Sequence, residues 1–192
     1  VEKCEEGKAG GNTKVCGQLF AYANGDKDAA KSYYTALAGG RDIEPEIIDA
    51  ISEGVANMAD ILADEFGFNK DEYMDWTGVN VGGTNMGAMS PEYPEMPGHE
   101  KMALWTTHAG ASDGYLYQGL KQNVTDRVDA IDVWYSSPAK SLIQDPVTKT
   151  VVGVTVERDG KEMNIRALNG VCICTGGFEC NKEMVQHYLN VI

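Results

Sequence analysis

The sequence predicts an α/β fold in a single domain, and three observations lead to that prediction. A long amphipathic pattern between Pro45 and Phe66 is typical of a helix packed on a core. Strand-like stretches separated by turn residues fill residues 131–167. An unbroken apolar run, 171–174, then enters a Thr-Gly-Gly turn, which is the pattern of a strand buried on both faces of a parallel sheet.

The composition indicates a globular protein and argues against some partners. The chain has 192 residues, of which 43% are hydrophobic and 23% charged, which is enough for one domain with a core. Because no run of about 18 apolar residues occurs, we expect a soluble protein without a membrane span. The formal net charge of −13 would repel nucleic-acid phosphates, so we predict no nucleic-acid partner.

The first part of the predicted domain, residues 1–67, contains a glycine-rich turn and two helices. The first helix covers residues 28–37 and ends at Gly39-Gly40, and the second begins near Pro45 and stops at Gly67. We interpret the apolar stripe of the second helix as core packing, with no role in ligand binding. The stripe consists of Ile47, Ile48, Ile51, Val55, Met58, Ile61, Leu62 and Phe66.

The second part, residues 68–110, is predicted to be irregular. Glycines and prolines interrupt any period, and five of the eight methionines also fall here. The segment is either a surface excursion with its own small apolar cluster or one wall of a ligand site. These residues are Gly78, Gly82, Gly83, Gly87, Gly98, Pro91, Pro94, Pro97, Met74, Met86, Met89, Met96 and Met102.

The third part, residues 111–192, is predicted to hold a helix, a β-meander and a return strand. Ser112 or Asp113 opens a helix over 114–124, with Tyr115, Leu116, Leu120 and Val124 facing inward. Strands are expected at 131–135, 139–144, 150–157 and 163–167, of which the last three form an antiparallel meander. The return strand at 171–174 follows, and Asn181 caps a closing helix.

The five cysteines do not form a metal or disulfide framework. Cys4, Cys16, Cys172, Cys174 and Cys180 lack the paired spacing of zinc sites and the haem attachment signature. We therefore predict no metal site and interpret the thiols as structural. Cys172 and Cys174 alternate along the predicted return strand and should point to one face of it, packed as small hydrophobic side chains.

Two stretches, residues 1–18 and residues 171–178, have the character of nucleotide-binding turns. Glu2 has the position of an acidic residue at a strand end, where a carboxylate can accept hydrogen bonds from both hydroxyls of a ribose. Gly10 and Gly11 would let peptide N–H groups approach a pyrophosphate, with Asn12 and Thr13 as short donors beside them. The alternative, an ordinary surface turn, stays open on these residues alone.

Together the two stretches resemble the flavoprotein family of fumarate reductases, succinate dehydrogenases, urocanate reductases and 3-oxosteroid dehydrogenases. The resemblance rests on Glu2-Lys3, on Gly10-Gly11-Asn12-Thr13 and on Cys174-Thr175-Gly176-Gly177-Phe178. The sequence departs from the family pattern at Cys16-Gly17-Gln18, where a small residue and two glycines are usual, and at Cys174, where alanine is common.

The resemblance implies a partial two-dinucleotide-fold, FAD/NAD(P)-binding domain that holds FAD non-covalently in the complete protein. It also implies that the backbone of Ala139 reads the adenine edge, on the strand that begins the meander. The cofactor-binding residues implied are Glu2, Lys3, Gly10, Gly11, Asn12, Thr13, Gly17, Ala139, Thr175, Gly176 and Gly177.

We also expect the chain to be an interior fragment of such a domain. It begins with Val1 and lacks the G-x-G-x-x-G turn that precedes a ribose-binding acid by about 20 residues. The first βαβ strand and the clamp domain would lie outside the chain, and the family's catalytic residues would follow Ile192. We assign no catalytic residue here, since His99, His108 and His187 form no motif, and localisation, whether cytoplasmic or exported, is not predicted.

The function implied by the resemblance is flavin-dependent reduction or formation of an activated C=C bond. The substrate of the complete protein would be a small unsaturated acid or enone, with an electron donor that the sequence does not identify, and the isolated chain would be inactive. The alternative is a non-catalytic ligand-binding or interaction scaffold that keeps the fold.

We predict that all five cysteines are thiols in the purified protein. Residues two apart on one strand are too far separated and too similarly aimed to bridge without bending the backbone, which applies to Cys172 and Cys174. The intact mass under non-reducing conditions should equal the fully reduced mass, and a mass lower by two hydrogens would show that a bridge exists.

Overall fold

The computed structural model describes residues 1–77, 80–81, 84–85, 91–110 and 113–189. These form two compact units, one made of Thr13–Val128 and the other of Val1–Asn12 with Asp129–Ile192. Several residues singled out in the sequence lie outside the described ranges: Gly78, Gly82, Gly83, Gly87, Met86, Met89 and Ser112.

Five α-helices and eight short strands are present in the described part of the chain. The helices are α1 (Gly11–Val15), α2 (Lys27–Leu37), α3 (Pro45–Asp64), α4 (Tyr115–Thr125) and α5 (Lys182–Tyr188). The strands are β1 (Leu19–Tyr22), β2 (Met74–Asp75), β3 (Asn80–Val81), β4 (Thr84–Asn85), β5 (Ala103–Thr106), β6 (Ala139–Gln144), β7 (Val151–Arg158) and β8 (Lys161–Arg166).

Helix α3 is the main packing element of the unit Thr13–Val128, and its existence and its start are as predicted. Pro45 lies in the first helical turn, and Gly67 follows the helix with a left-handed φ of 76°. The buried face is formed by Ser52, Val55, Ala56, Ala59 and Leu62. The predicted stripe was wrong at its N-terminal end, because Ile47 and Ile51 are 50% and 42% exposed and the buried face is displaced toward smaller residues.

Helix α2 packs against α3 and confirms the helix predicted over 28–37. The Asp26 side chain accepts a hydrogen bond from the Ala29 N–H and caps the helix, which therefore begins at Lys27. Ala30 and Tyr33 join Val55 in one buried cluster. Ion pairs Lys27–Glu53 and Lys31–Asp49, each 2.6 Å, connect the exposed sides of the two helices and contribute little because water screens them.

A small antiparallel sheet in the order β1-β5-β2 lies in the same unit, and the sequence did not indicate it. Phe20 pairs with Trp105, and Asp75 also pairs with Trp105 from the other side. Part of the segment predicted to be irregular is therefore strand. Strands of two to four residues are too short to show an alternating pattern in the sequence. In the structure their aromatic residues pack together, with Tyr22 edge-on to Trp105.

The antiparallel meander is the main element of the second unit and is confirmed by the sheet order β6-β7-β8. Strand β6 has the predicted ends, while β7 and β8 differ from the prediction by one or two residues at each end. Asp159 and Gly160, with φ of 52° and 72°, form the predicted tight turn between β7 and β8. Val156 is fully buried, whereas Val147 at the other turn is 86% exposed.

Two predicted strands are absent from the described residues. Residues 131–135 form no ladder, because their neighbour is the irregular segment 2–4 and Ser136 interrupts the extended path with φ of 50°. The predicted buried strand at 171–174 is also wrong: it is irregular, and Ile173 is 63% exposed. A strand requires a partner for its backbone groups, and the described sheets are all antiparallel pairs that do not include it.

The closing helix α5 is confirmed, since the Asn181 side chain accepts a hydrogen bond from the Met184 N–H at 3.1 Å. Helix α4 is also confirmed, with Leu116 and Leu120 packed on the second core cluster. Tyr115 and Val124, predicted to face inward, are 38% and 37% exposed. No helix in the described ranges combines the length and apolar character needed to cross a bilayer.

We predict that Gly98→Ala destabilises the unit Thr13–Val128 much more than Gly40→Ala. Both glycines have left-handed φ, 82° and 76°, so alanine at either costs about 1–2 kcal/mol. An added Cβ at Gly98 would also collide with the carbonyl of Ala29, while nothing lies within 4 Å of one at Gly40. Overpacking should add about 1–3 kcal/mol at Gly98, measured by urea unfolding. Equal losses for the two variants would show that the chain at Gly98 moves freely away from α2.

Candidate functional site

Glu2 is held beside the segment that leads into β6. Its N–H donates to the Trp134 carbonyl and its carbonyl accepts from the Ser137 N–H, both at 2.8 Å. The half-buried carboxylate accepts a hydrogen bond from the Cys4 N–H at 2.7 Å, which leaves its second oxygen for other donors. The structure thus brings Glu2 and the chain just before Ala139 into one neighbourhood, while Lys3 is exposed.

Ala139 lies on an edge strand with its backbone groups directed away from the sheet. It pairs with Val156, and the Glu157 N–H donates to the Pro138 carbonyl at 3.0 Å. Hydrogen-bonded and non-hydrogen-bonded pairs alternate in an antiparallel ladder, so the N–H and C=O of Ala139 point to the free side of β6. This is the arrangement needed to pair with the edge of a planar base.

The predicted glycine turn has the backbone conformation that requires glycine. Gly10 and Gly11 have φ of 120° and 49°, and nothing lies within 4 Å of a Cβ built at Gly11. Asn12 and Thr13 are exposed in the single-turn helix α1 that follows. Gly17 differs, because its φ is not positive and an added Cβ would make an ordinary contact of 3.6 Å with Leu19.

The second predicted turn is open to solvent. Thr175, Gly176 and Gly177 are exposed, and Gly176 has φ of 75° with nothing within 4 Å of an added Cβ. This stretch follows the irregular residues 171–174, where the sequence predicted a strand. The peptide groups of Gly176 can therefore be approached closely by a ligand, as at Gly11.

Two of the cysteines are not packed as predicted. Cys172 and Cys174 are exposed, as are Cys16 and Cys180, and Cys4 is half-buried, so the prediction that Cys172 and Cys174 pack as small hydrophobic side chains was wrong. Cys172 and Cys174 do point to one side, with their sulfurs 3.7 Å apart. The hydrogen bond with Cys172 raises the pKa of the Cys174 thiol above its usual value.

His108 is engaged at both ring nitrogens. Its Nδ1 accepts from the Gly110 N–H at 2.6 Å, and its Nε2 lies 2.9 Å from an Asp113 carboxylate oxygen. The ring packs edge-on to Tyr115, with centroids 4.0 Å apart. An Nδ1 that accepts and an Nε2 that donates fix one tautomer, so His108 contacts both Gly110 and Asp113 and has no free nitrogen for a substrate.

Gln18 was not predicted as a site residue, although its place in the family pattern offered a signal. It is 2% exposed and has φ of 61°, a left-handed backbone conformation that residues other than glycine rarely adopt. The sequence showed that Gln18 stands where the resembling family has glycine. A glycine position occupied by a large polar residue indicates that the residue must be held there by other contacts.

The described residues fit an adenine dinucleotide such as FAD by the chemistry of their donors and acceptors. A half-buried carboxylate at Glu2, an outward backbone edge at Ala139 and open glycines at Gly11 and Gly176 match ribose, base and pyrophosphate in turn. Within the described ranges, no group of three or more His, Cys, Asp or Glu side chains is arranged to hold a metal ion.

Comparisons with known proteins support FAD as the cofactor. A family model described as FAD binding domain matches residues 4–191. The 3-oxosteroid 1-dehydrogenase of Comamonas testosteroni is 47% identical over 60 residues, which are 31% of this chain and 10% of that protein.

Two solved structures share the fold. The 3-ketosteroid delta1-dehydrogenase of Sterolibacterium denitrificans, in complex with 1,4-androstadiene-3,17-dione, has a TM-score of 0.72 and 17% identity over 98% of this chain. The 3-ketosteroid-delta4-(5alpha)-dehydrogenase of Rhodococcus jostii RHA1, in complex with 4-androstene-3,17-dione, has a TM-score of 0.65 and 20% identity over 97% of this chain. This chain spans 44% and 42% of the two solved chains.

Proposed function

Because the chain belongs to the FAD binding domain family, whose model it matches over residues 4–191, we propose that it forms part of the FAD-binding domain of an oxidoreductase that reduces or forms an activated C=C bond. FAD is its cofactor and a flavoprotein oxidoreductase is its class. Beyond this class, we propose which bond reacts and which residues hold the cofactor.

The placement of Glu2 beside the start of β6 carries the proposal. Two backbone hydrogen bonds of 2.8 Å fix the residue, so its carboxylate and the outward peptide groups of Ala139 lie in one neighbourhood. A ribose and its attached adenine need an acceptor for two hydroxyls and a donor–acceptor pair for the base edge, in that proximity. Glu2 would bind the ribose and Ala139 the base.

The remaining predicted residues are proposed for the rest of the cofactor. Gly10, Gly11 and Asn12 would present peptide and side-chain donors to the pyrophosphate, and Thr13 and Gly17 continue the same stretch of chain. Lys3, exposed beside Glu2, would offset phosphate charge. The Thr175-Gly176-Gly177 turn belongs to the second predicted stretch and would also contact the cofactor, since the backbone at Gly176 is open to a ligand.

When bound, FAD supplies the hydride chemistry, and the residues of this chain bind and orient it. None of the three histidines stands out as a proton donor: His99 bonds to the Met96 carbonyl, His108 is engaged at both nitrogens, and His187 packs edge-on to Tyr188. We therefore propose that the proton donor and substrate clamp belong to further polypeptide, together with the first βαβ strand. The 192-residue chain alone would then be one incomplete domain, inactive and weak in FAD binding.

The substrate class that we propose is an enone, with unsaturated acids as the second class. The relatives named above are ketosteroid dehydrogenases, and both solved structures contain a steroid ketone. In an enone the carbonyl withdraws electrons from the adjacent C=C bond, which makes that bond a hydride acceptor. A non-catalytic scaffold is the outcome if the complete protein binds FAD yet transfers hydride to no alkene.

We predict that Glu2→Ala in the complete protein weakens FAD binding by about 1–3 kcal/mol, the range for losing charge-assisted hydrogen bonds. Titration by flavin fluorescence gives the dissociation constant. Glu5→Ala and Glu6→Ala are matched controls, since both carboxylates are exposed, and should change little. Glu2→Gln keeps an acceptor for the Cys4 N–H and separates loss of charge from loss of local structure. Equal effects at all three glutamates would place the ribose contact elsewhere.

We also predict that the complete protein, loaded with FAD, oxidises a reduced viologen in the presence of an activated alkene. The panel should contain 3-oxosteroids, fumarate, urocanate and cinnamate-like acids, and turnover is expected first with the enones. The 192-residue chain is the negative control. Turnover by that chain alone would contradict the proposal that the proton donor lies in further polypeptide.

A further inference from the structure

Gln18 is a buried polar residue in a strained conformation at the junction of α1 and β1. It is 2% exposed and its φ is 61°. Folding therefore has to offset the free-energy cost of desolvating an amide and the cost of a left-handed backbone. A strained residue persists where its surroundings over-determine it, and such positions concentrate near functional sites.

The Gln18 side chain spans two separate segments of the unit Thr13–Val128. Its Nε2 donates to the Thr13 carbonyl at 2.8 Å and to the Cys16 carbonyl at 3.1 Å. Its Oε1 accepts from the Tyr117 N–H at 3.1 Å, across 99 positions of sequence. One amide thus satisfies carbonyls at the end of α1 and an N–H in the first turn of α4.

A second observation shows that the two segments meet. A Cβ built at Gly114, the residue before α4, would lie 3.5 Å from the Lys14 carbonyl oxygen. Gly114 also has a left-handed φ of 77°, so both sides of the junction adopt conformations that glycine favours. Helix α1 has only five residues, and so short a helix is not stable without contacts outside itself.

We propose that Gln18 is a positioning residue for the part of the FAD-binding stretch that lies in this unit, because its amide locks the end of α1 to the start of α4 and thereby fixes residues 13–17. This inference rests on the proposed function, in which Gly10 to Gly17 face FAD. Glycine at position 18 would relieve the backbone strain but remove the hydrogen bonds that the Gln18 amide makes to Thr13, Cys16 and Tyr117. A glycine at this position would only permit the left-handed backbone conformation, whereas the glutamine also holds the segment through its side-chain hydrogen bonds.

Gln18→Gly in the complete protein tests the proposal, because it removes the tether without adding backbone strain. The dissociation constant for FAD, measured by flavin fluorescence, should rise about tenfold, as expected for the loss of buried hydrogen bonds. Hydrogen exchange at the Tyr117 amide should accelerate, and the visible spectrum of the bound flavin should change. Gln18→Glu keeps the acceptor for the Tyr117 N–H but not the donors, so it should preserve Tyr117 protection and still weaken FAD binding.

Gln122→Ala is the matched control, since it removes a glutamine from α4 whose Nε2 donates to Asp126 on the exposed side of the helix. It should leave FAD affinity and flavin spectrum unchanged. If Gln18→Gly binds FAD as tightly as the wild type and with the same spectrum, Gln18 supports the fold alone and the inference is overturned. If the wild-type complete protein binds no FAD, the proposed function fails first and this inference with it.

Discussion

The hydrogen bonds that hold Glu2 against residues 134–137 are the constraint on which the candidate site depends. They connect parts of the chain more than 130 residues apart, with nitrogen-to-oxygen distances of 2.8 Å at Trp134 and Ser137. Without them a carboxylate at position 2 would have no fixed relation to β6. With them, an acidic side chain lies beside an edge strand whose free peptide groups at Ala139 face outward.

The second constraint is backbone conformation around the two turns. Gly10, Gly11 and Gly176 have positive φ, and the last two are open to the approach of a ligand. These conformations cost glycine little, so the turns can stay fixed without side chains that would obstruct a phosphate. Gln18, with φ of 61°, adopts the same region with a side chain, and its amide is held by hydrogen bonds to Thr13, Cys16 and Tyr117.

Much of the fold could be predicted because its signals were local. The helix α3, the Asn181 cap, and the meander with its turn at Asp159 all follow from spacing and turn residues. The prediction of a strand at 171–174 was wrong, because an apolar run indicates only that the residues favour burial, while a strand also needs a hydrogen-bond partner. The exposure of Ile47 depended on which side of α3 meets α2, which one helix cannot reveal.

For the site, residue types and spacing single out Glu2 and the glycines as candidates, because ribose recognition needs a carboxylate and phosphate recognition needs accessible peptide N–H groups, and this assignment stays a prediction. They could not predict the tether made by Gln18, whose partner Tyr117 lies on another helix. The central claim, that Glu2 and Ala139 hold the adenosine part of FAD, is tested most directly by residue-resolved hydrogen exchange of the complete protein with and without FAD. The account predicts that FAD slows exchange at the Ala139 amide and leaves the turn at Asp159 and Gly160 unchanged. Protection that is absent at Ala139 in a protein saturated with FAD would contradict it.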